Sequence, residues 1–216
     1  MATSKRPQHS VVLLLLIPLI LSTSAGDGSA GVLGGPTILI EEKTATWCVP
    51  CAEFDPLLAE FIVDVGGRAV LASHHPDDGE DTLGSPASAH RLSRLGATSS
   101  TVTPTLWFDG GEEVRGPLTR GDLMRHVSSS EGDRSSSTRI TILPATTTLE
   151  ATGVTVSFDT AVGDSNNTTM TVMLVETGVV RPTGSVDGDP LWVVTRGLAE
   201  VDVLTGSSVV GLPAGD

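Results

Sequence analysis

Cysteine is nearly missing from this chain: 216 residues contain two, Cys48 and Cys51. Both stand in one C-x-x-C, Trp47-Cys48-Val49-Pro50-Cys51. A disulfide-dense scaffold is therefore excluded, and the two thiols form either a redox couple or one local staple. A C-x-x-C closes so small a loop that its entropic gain is slight, which weakens the staple. No second Cys or His pair stands at ligand spacing, so a zinc site lacks half its ligands. Basic residues are scarce as well, with 13 Lys and Arg against 26 Asp and Glu and a formal net charge of −13. So acidic a surface argues against nucleic acid and anionic lipid as partners, since both call for basic patches. Solubility or salt adaptation accounts for it plainly. Past residue 21 no apolar run is long enough to span a bilayer, which takes roughly 20 residues.

The first 25 residues read as a secretory leader. Lys5 and Arg6 supply a positive start, residues 11–21 an apolar run broken only by Pro18, and Ser22-Thr23-Ser24-Ala25 the small residues of a cleavage site before Gly26. The apolar run is short for an anchor, so cleavage is expected, and membrane association follows only if the leader is retained. Cleavage removes two positive charges and leaves Lys43 as the one mature lysine. Export to the cell envelope or beyond places the cysteines where disulfides persist.

Behind a Gly- and Ser-rich lead, residues 37–40 read as a strand, and Pro50 and Cys51 open a helix through Asp64. Leu57, Leu58, Phe61 and Ile62 form its inward stripe, and Gly66-Gly67 stops it. Residues 68–73 form a second strand. Ser85 then caps a helix with Pro86 in its first position; Leu92 and Leu95 face inward and Gly96 ends it. Residues 103–108 form a strand, Asp109-Gly110 a reversal toward residues 113–115, and Thr119 caps a helix carrying Leu123, Met124 and Val127. This order predicts an α/β layer on a mixed sheet flanked by helices over residues 26–127. Residues 128–137 are Ser-rich and read as a linker. Residues 138–216 carry short β-type runs at 139–143, 154–158, 170–175 and 191–194, between Gly, Asn, Asp and Pro clusters, and read as a small β-sandwich. That unit is short for seven strands, so a minimal fold or an incomplete chain is expected.

The strand–turn–helix setting of the C-x-x-C carries the chemistry. At the helix N-cap, Cys48 meets unpaired N–H groups and the positive end of the helix dipole, which favour a thiolate; it is the expected nucleophile. Cys51, one turn on, is the expected resolving thiol. Pro50 sets φ and removes an orphan donor, and Trp47 shields the flank.

Residues 40–51, Ile-Glu-Glu-Lys-Thr-Ala-Thr-Trp-Cys-Val-Pro-Cys, resemble the active-site segment of the thioredoxin superfamily, and the Thr-Trp-Cys-x-Pro-Cys form is especially similar to extracytoplasmic TlpA-like proteins. Val102-Thr103-Pro104-Thr105 stands where that superfamily carries its cis-proline loop. The resemblance covers roughly residues 37–127. It implies a thioredoxin-like fold in which Pro104 is cis and Thr103 offers its backbone to an incoming peptide, so Trp47, Thr103 and Pro104 are the expected substrate-binding residues. It also implies a buried acid six residues before Cys48. Strand alternation allows one of Glu41 and Glu42 to face inward, and the family spacing selects Glu42 as a proton relay to Cys51. Lys43 departs from the apolar residue usual there. The arrangement of leader, redox unit, linker and β-rich unit resembles envelope proteins that join a thioredoxin fold to an immunoglobulin-like one.

His74-His75 with Asp77-Asp78-Gly79-Glu80-Asp81 matches no standard metal loop and is expected as an acidic, solvated loop near the substrate mouth. His90 and His126 are expected to face solvent. Asn166 and Asn167 begin overlapping glycosylation sequons. No metal and no cofactor is expected. The leading expectation is an extracytoplasmic thiol–disulfide oxidoreductase acting on protein thiols and disulfides with a redox partner protein, reductase or isomerase in direction because Val49-Pro50 lacks the histidine of strongly oxidising sites. The alternative is a secreted surface-binding module whose thioredoxin scaffold is redox-inert; a peroxidase or metallochaperone stands third.

Overall fold

The computed structural model describes residues 37–133, 141–142, 146–150, 153–157, 160–161, 169–182, 184–186, 191–202 and 208–212. The expected leader, the Gly-rich lead, the later part of the linker (134–137) and the sequons at Asn166 and Asn167 lie outside the described residues.

Four strands and three helices build the first unit: β1 (Ile38–Lys43), α1 (Val49–Val65), β2 (Ala69–His74), α2 (Pro86–Arg94), β3 (Thr105–Phe108), β4 (Val114–Arg115) and α3 (Arg120–Asp133). The sheet runs β2-β1-β3-β4, with β1 parallel to β2 and antiparallel to β3. Only β1 and β2 need a crossover, which α1 supplies; β3 and β4 return as an antiparallel pair.

Local chemistry sets the helix ends. Cys48 caps α1 with Pro50 in its first turn, and Gly66 at φ 58° ends it in a conformation a side chain disfavours. Pro56 inside α1 removes one intrahelical donor. The Ser85 hydroxyl caps α2 by accepting from the Ser88 N–H at 3.1 Å. Before α3, Thr119 and Asp122 cap reciprocally, each accepting the other's backbone N–H. Asp109 and Gly110 both take positive φ, but β3 and β4 pair only from Leu106 and Val114 back to Thr105 and Arg115, so the connection is longer than a two-residue hairpin.

One face of the sheet carries the main core. Ile38 and Ile40 of β1, Leu71 of β2, and Leu106 and Phe108 of β3 pack with Phe54, Leu58 and Phe61 of α1 and Leu123 and Val127 of α3. Met124, expected in that stripe, is exposed. α3 continues to Asp133, into the segment expected as linker, and Glu131 of its last turns holds Arg68 by two bonds at 2.9 and 2.7 Å.

The β-rich part forms antiparallel groups. β9 (Thr169–Val179), β10 (Leu191–Asp202) and β11 (Ser208–Leu212) make one three-stranded sheet. β5 (Thr141–Ile142) pairs β8 (Thr160–Ala161), and β6 (Thr146–Glu150) pairs β7 (Gly153–Ser157). β9 and β10 run far longer than the short segments expected, because threonine, glutamate and arginine positions extend the ladder as well as apolar ones. β10 packs on α2 and β2. Leu83 joins Val179, Leu191 and Val194 in a second apolar cluster, the Ser88 hydroxyl donates to the Thr195 carbonyl at 3.3 Å, and buried Glu200 faces His90 and Arg94, each at 3.6 Å.

Candidate functional site

β1 delivers the loop of residues 44–48 to the C-terminal edge of the sheet, where α1 begins. Cys48 and Cys51 are joined by a disulfide. Cys48 Sγ accepts the N–H of Cys51 at 3.2 Å, the Cys48 N–H donates to the Ala45 carbonyl at 3.1 Å, and no acidic residue lies in the first turn of α1. A thiolate released at Cys48 would thus meet helix N–H groups and no adjacent negative charge.

The expected open mouth differs in one respect. Cys48 is only 3 % exposed and Cys51 is fully buried, packed with Ala45. The surface around them is apolar and open instead: Trp47 is 43 % exposed, Val49 58 % and Val102 49 %. Part of the cover comes from far along the chain, where the Val186 N–H donates to the Thr46 carbonyl at 2.9 Å. Across the site the Thr103–Pro104 bond is cis. The Thr105 hydroxyl donates to the Val102 carbonyl at 2.9 Å, and Gly116 N–H to the Pro104 carbonyl at 2.9 Å, which holds this loop to β4.

One turn of α1 beyond Cys51, on the face of the main core, lies a buried polar cluster. Glu42 is 1 % exposed, and its Oε2 accepts from the Ser73 hydroxyl at 2.9 Å. Asp55 of α1 lies beside it, where Thr44 Oγ1 stands 3.3 Å from each carboxylate oxygen and Arg181 Nη2 lies 2.9 Å from Oδ2. Burial and the Asp55 charge push the Glu42 carboxyl well above the usual carboxylate range. Burial raises Asp55 too, against the pull of Arg181. Both carboxyls are thus raised, and the Arg181 guanidinium stands in hydrogen-bond contact with Asp55.

The opposite face of β1 corrects an expectation. Glu41 is as buried as Glu42, because α2 covers that side and β1 is central rather than half-exposed. Arg91 grips it through two bonds of 2.6 and 2.7 Å, and His74 Nε2 lies at 3.0 Å. Burial opposes the charge, but these partners hold the Glu41 carboxyl at about 2. Burial pushes His74 down, against the pull of Glu41. Lys43 is also nearly buried, its ammonium donating to the Thr101 carbonyl.

The His74–His75 segment is likewise not a solvated loop. Both rings are fully buried, and His75 Nδ1 lies 2.8 Å from Asp81 Oδ2. Asp81 also accepts the N–H of Thr46 at 2.9 Å and of Leu83 at 2.9 Å, so it ties the active-site loop to the segment before α2. His90 and His126 are half-buried, against Glu200 and stacked on Phe108 at 4.8 Å. Among the described residues, no group of His, Cys, Asp and Glu is placed to hold a metal, and no helix is long and apolar enough to cross a membrane. A cleft of about 550 Å³ beside Phe108, Val114 and His126 opens at the other end of β3, away from the disulfide.

Sequence reasoning missed Asp55 and Arg181. Asp55 had a signal, since Cys51, Phe54, Asp55 and Leu58 share the buried side of α1 and an acid in such a stripe needs a partner. Arg181, 126 residues away, had none.

No protein-family model matches the chain, and no curated protein matches its sequence. Among solved structures, HBP35 of Porphyromonas gingivalis superposes with a TM-score of 0.59 at 17 % identity, over 82 % of this chain and 60 % of that one. The fold is thioredoxin-like. The chain thus spans 60 % of the length of that neighbour. DsbF of MTB, in mixed oxidized and reduced forms, matches over 45 % of this chain and 83 % of that one, with a TM-score of 0.34 and 17 % identity. A DsbF homologue from Corynebacterium diphtheriae matches over 43 % and 71 %, with a TM-score of 0.32 and 16 % identity. The HBP35 match shows a shared fold over 82 % of this chain. An immunoglobulin-like identity for the small sheets of the β-rich part does not follow from it.

Proposed function

We propose that the protein is an extracytoplasmic thiol–disulfide oxidoreductase of protein substrates, working through Cys48 and Cys51. One observation carries the reading: a disulfide at the N-terminus of α1, rimmed by exposed apolar side chains and faced by the Pro104 loop. In the reducing direction the Cys48 thiolate attacks a substrate disulfide. A mixed disulfide forms, and one substrate sulfur leaves with its electron pair. Cys51 then attacks Cys48 Sγ, the second substrate sulfur leaves, and the Cys48–Cys51 bond closes. Two electrons pass from the protein to the substrate, and a dithiol redox partner restores them. Trp47, Val49 and Val102 offer an apolar landing for the polypeptide around a substrate disulfide. Thr103 and Pro104 present backbone opposite Cys48, and Glu42 takes the Cys51 proton. The secretory leader read at residues 1–25 supports a location in the envelope or outside the cell, and a domain division after α3, which runs through Asp133 of the expected linker, belongs to the same reading.

The test is thiol trapping in the host with Cys51→Ala, which cannot resolve its mixed disulfides. Adducts through Cys48 that vanish in Cys48→Ala, Cys51→Ala support the reading, and their absence removes it. The Val49-Pro50 pair favours reduction or isomerisation. A measured potential above about −150 mV, near the strongly oxidising end of the scale, would overturn that direction. A redox-inert binding scaffold is the second reading; the 3 % exposure of Cys48 favours it, and the same trapping experiment decides between them.

A further inference from the structure

The acid expected beneath the disulfide is not alone. Cys51 and Asp55 stand one turn apart on the buried side of α1, where residues four apart are neighbours. From β1, buried Glu42 comes under the influence of the Asp55 carboxyl. From beyond β9, Arg181 crosses to Asp55, with both side chains under a tenth exposed at 6 % and 9 %. We propose that Glu42 and Asp55 form one acid pair that holds a single proton for Cys51, and that Arg181 sets how tightly that proton is held. The inference rests on the exchange chemistry proposed above and adds a second carboxyl and a distant cation to it.

Glu42 Oε2 accepts from the Ser73 hydroxyl, whereas Glu42 Oε1 is buried with no hydrogen-bond partner among the described residues, and the Asp55 charge bears on the same carboxyl. Two bare carboxylates side by side would repel; a proton on Glu42 turns the contact into a hydrogen bond. Charge counting agrees. Among the described residues, two carboxylates face one guanidinium, which leaves a buried negative charge that one proton cancels. Among the described residues, the other polar groups that act on this pair are Thr44 and Ser73, which are neutral, and His75, which is paired with Asp81. Glu41, His74 and Arg91 make their contacts with one another on the other face of β1.

The chemistry follows. Before Cys51 can attack Cys48 Sγ in the mixed disulfide, its thiol gives its proton to the pair. The bond from Cys48 to substrate breaks, the Cys48–Cys51 bond forms, and the substrate leaves as a thiolate. The disulfide form described here is the state in which the pair holds that proton. In the opposite direction the pair returns it to the departing Cys51 sulfur. Asp55 thus acts on the proton held at Glu42, and Arg181 is a positioning residue acting through Asp55.

The test reads the proton directly, as the protonated-carboxyl C=O band in the infrared spectrum of the full-length oxidised protein, followed against pH. Asp55→Asn removes the neighbouring negative charge, so the midpoint is expected to fall by about 1–3 pH units, the range for a charge within a few ångströms. Arg181→Gln removes the positive charge, so the midpoint is expected to rise by a similar amount, and Arg181→Lys to restore most of it. A purely structural role would not displace the two variants in opposite directions. If Arg181→Gln does not fold, Arg181→Lys carries the arm with a smaller rise. Coincident midpoints, or shifts of one sign, overturn the inference. Trapping that succeeds with coincident midpoints removes the acid pair alone. Opposed midpoints without trapping remove the oxidoreductase reading and leave the pair.

Discussion

Replacing Arg91 by methionine tests the account of the buried ions most severely. Glu41 is fully buried, and its carboxyl is lowered from 4.5 to about 2 although burial alone would raise it. The two guanidinium bonds at 2.6 and 2.7 Å are the strongest of the interactions that reverse the sign. At about 1.36 kcal/mol per pKa unit, that depression corresponds to about 3 kcal/mol of folding stability at pH 7. The folded-state value lies below the unfolded one. The contribution is therefore complete above the unfolded value and drains away as pH falls toward 2. At pH 3 only about one unit remains, or about 1 kcal/mol. Arg91→Met returns Glu41 to the ordinary range or above it. Urea unfolding is thus expected to show a loss of about 3 kcal/mol at pH 7 and about 1 kcal/mol at pH 3, within the range for breaking a buried pair. The m-value should stay unchanged. A loss equal at the two pH values, or below about 1 kcal/mol at pH 7, would refute the electrostatic reasoning.

After reduction, the Cys48 thiol should be alkylated with a midpoint below the roughly 8.5 of a free cysteine, because its sulfur caps α1; a midpoint at or above that value removes the helix argument. Leu191→Ala empties part of the apolar contact with Leu83 and should cost about 2–5 kcal/mol. It should do so within a single thermal transition if β10 and the thioredoxin-like unit unfold together, and two separated transitions would contradict that packing. Ser85→Ala deletes the cap of α2 and is expected to cost about 1 kcal/mol by denaturant unfolding, with Ser85→Asp close to wild type.

Much of the thioredoxin-like unit could be read from residue order because its signals are local. A Ser85-Pro86 start, a Gly66 stop and the inward stripe of α1 each lie within a few residues of what they control. The same holds for the redox pair: placing Cys48 at a helix start and Cys51 one turn on needs only the motif and its flanks. Burial of polar groups did not yield to that reasoning. Alternation along β1 allowed one inward acid, yet both are buried, because a helix covers each face of a central strand. His74 and His75 looked solvated beside four acids, but Asp81 folds back onto His75 and Glu41 reaches His74 across the sheet. Met124 kept helical spacing and still fell outside the stripe that α3 presents to the sheet.

Sequence alone determined where the sulfurs stand, which helix end holds them, and that an α/β unit precedes a run of strands. Those outcomes depend on backbone preferences and short-period patterns, which act between neighbours. The tertiary structure decided which charges face the disulfide. Arg181 meets Asp55 across 126 residues, and Arg91 meets Glu41 across 50. A buried charge persists only where a partner of opposite sign reaches it, and only the folded chain specifies that partner.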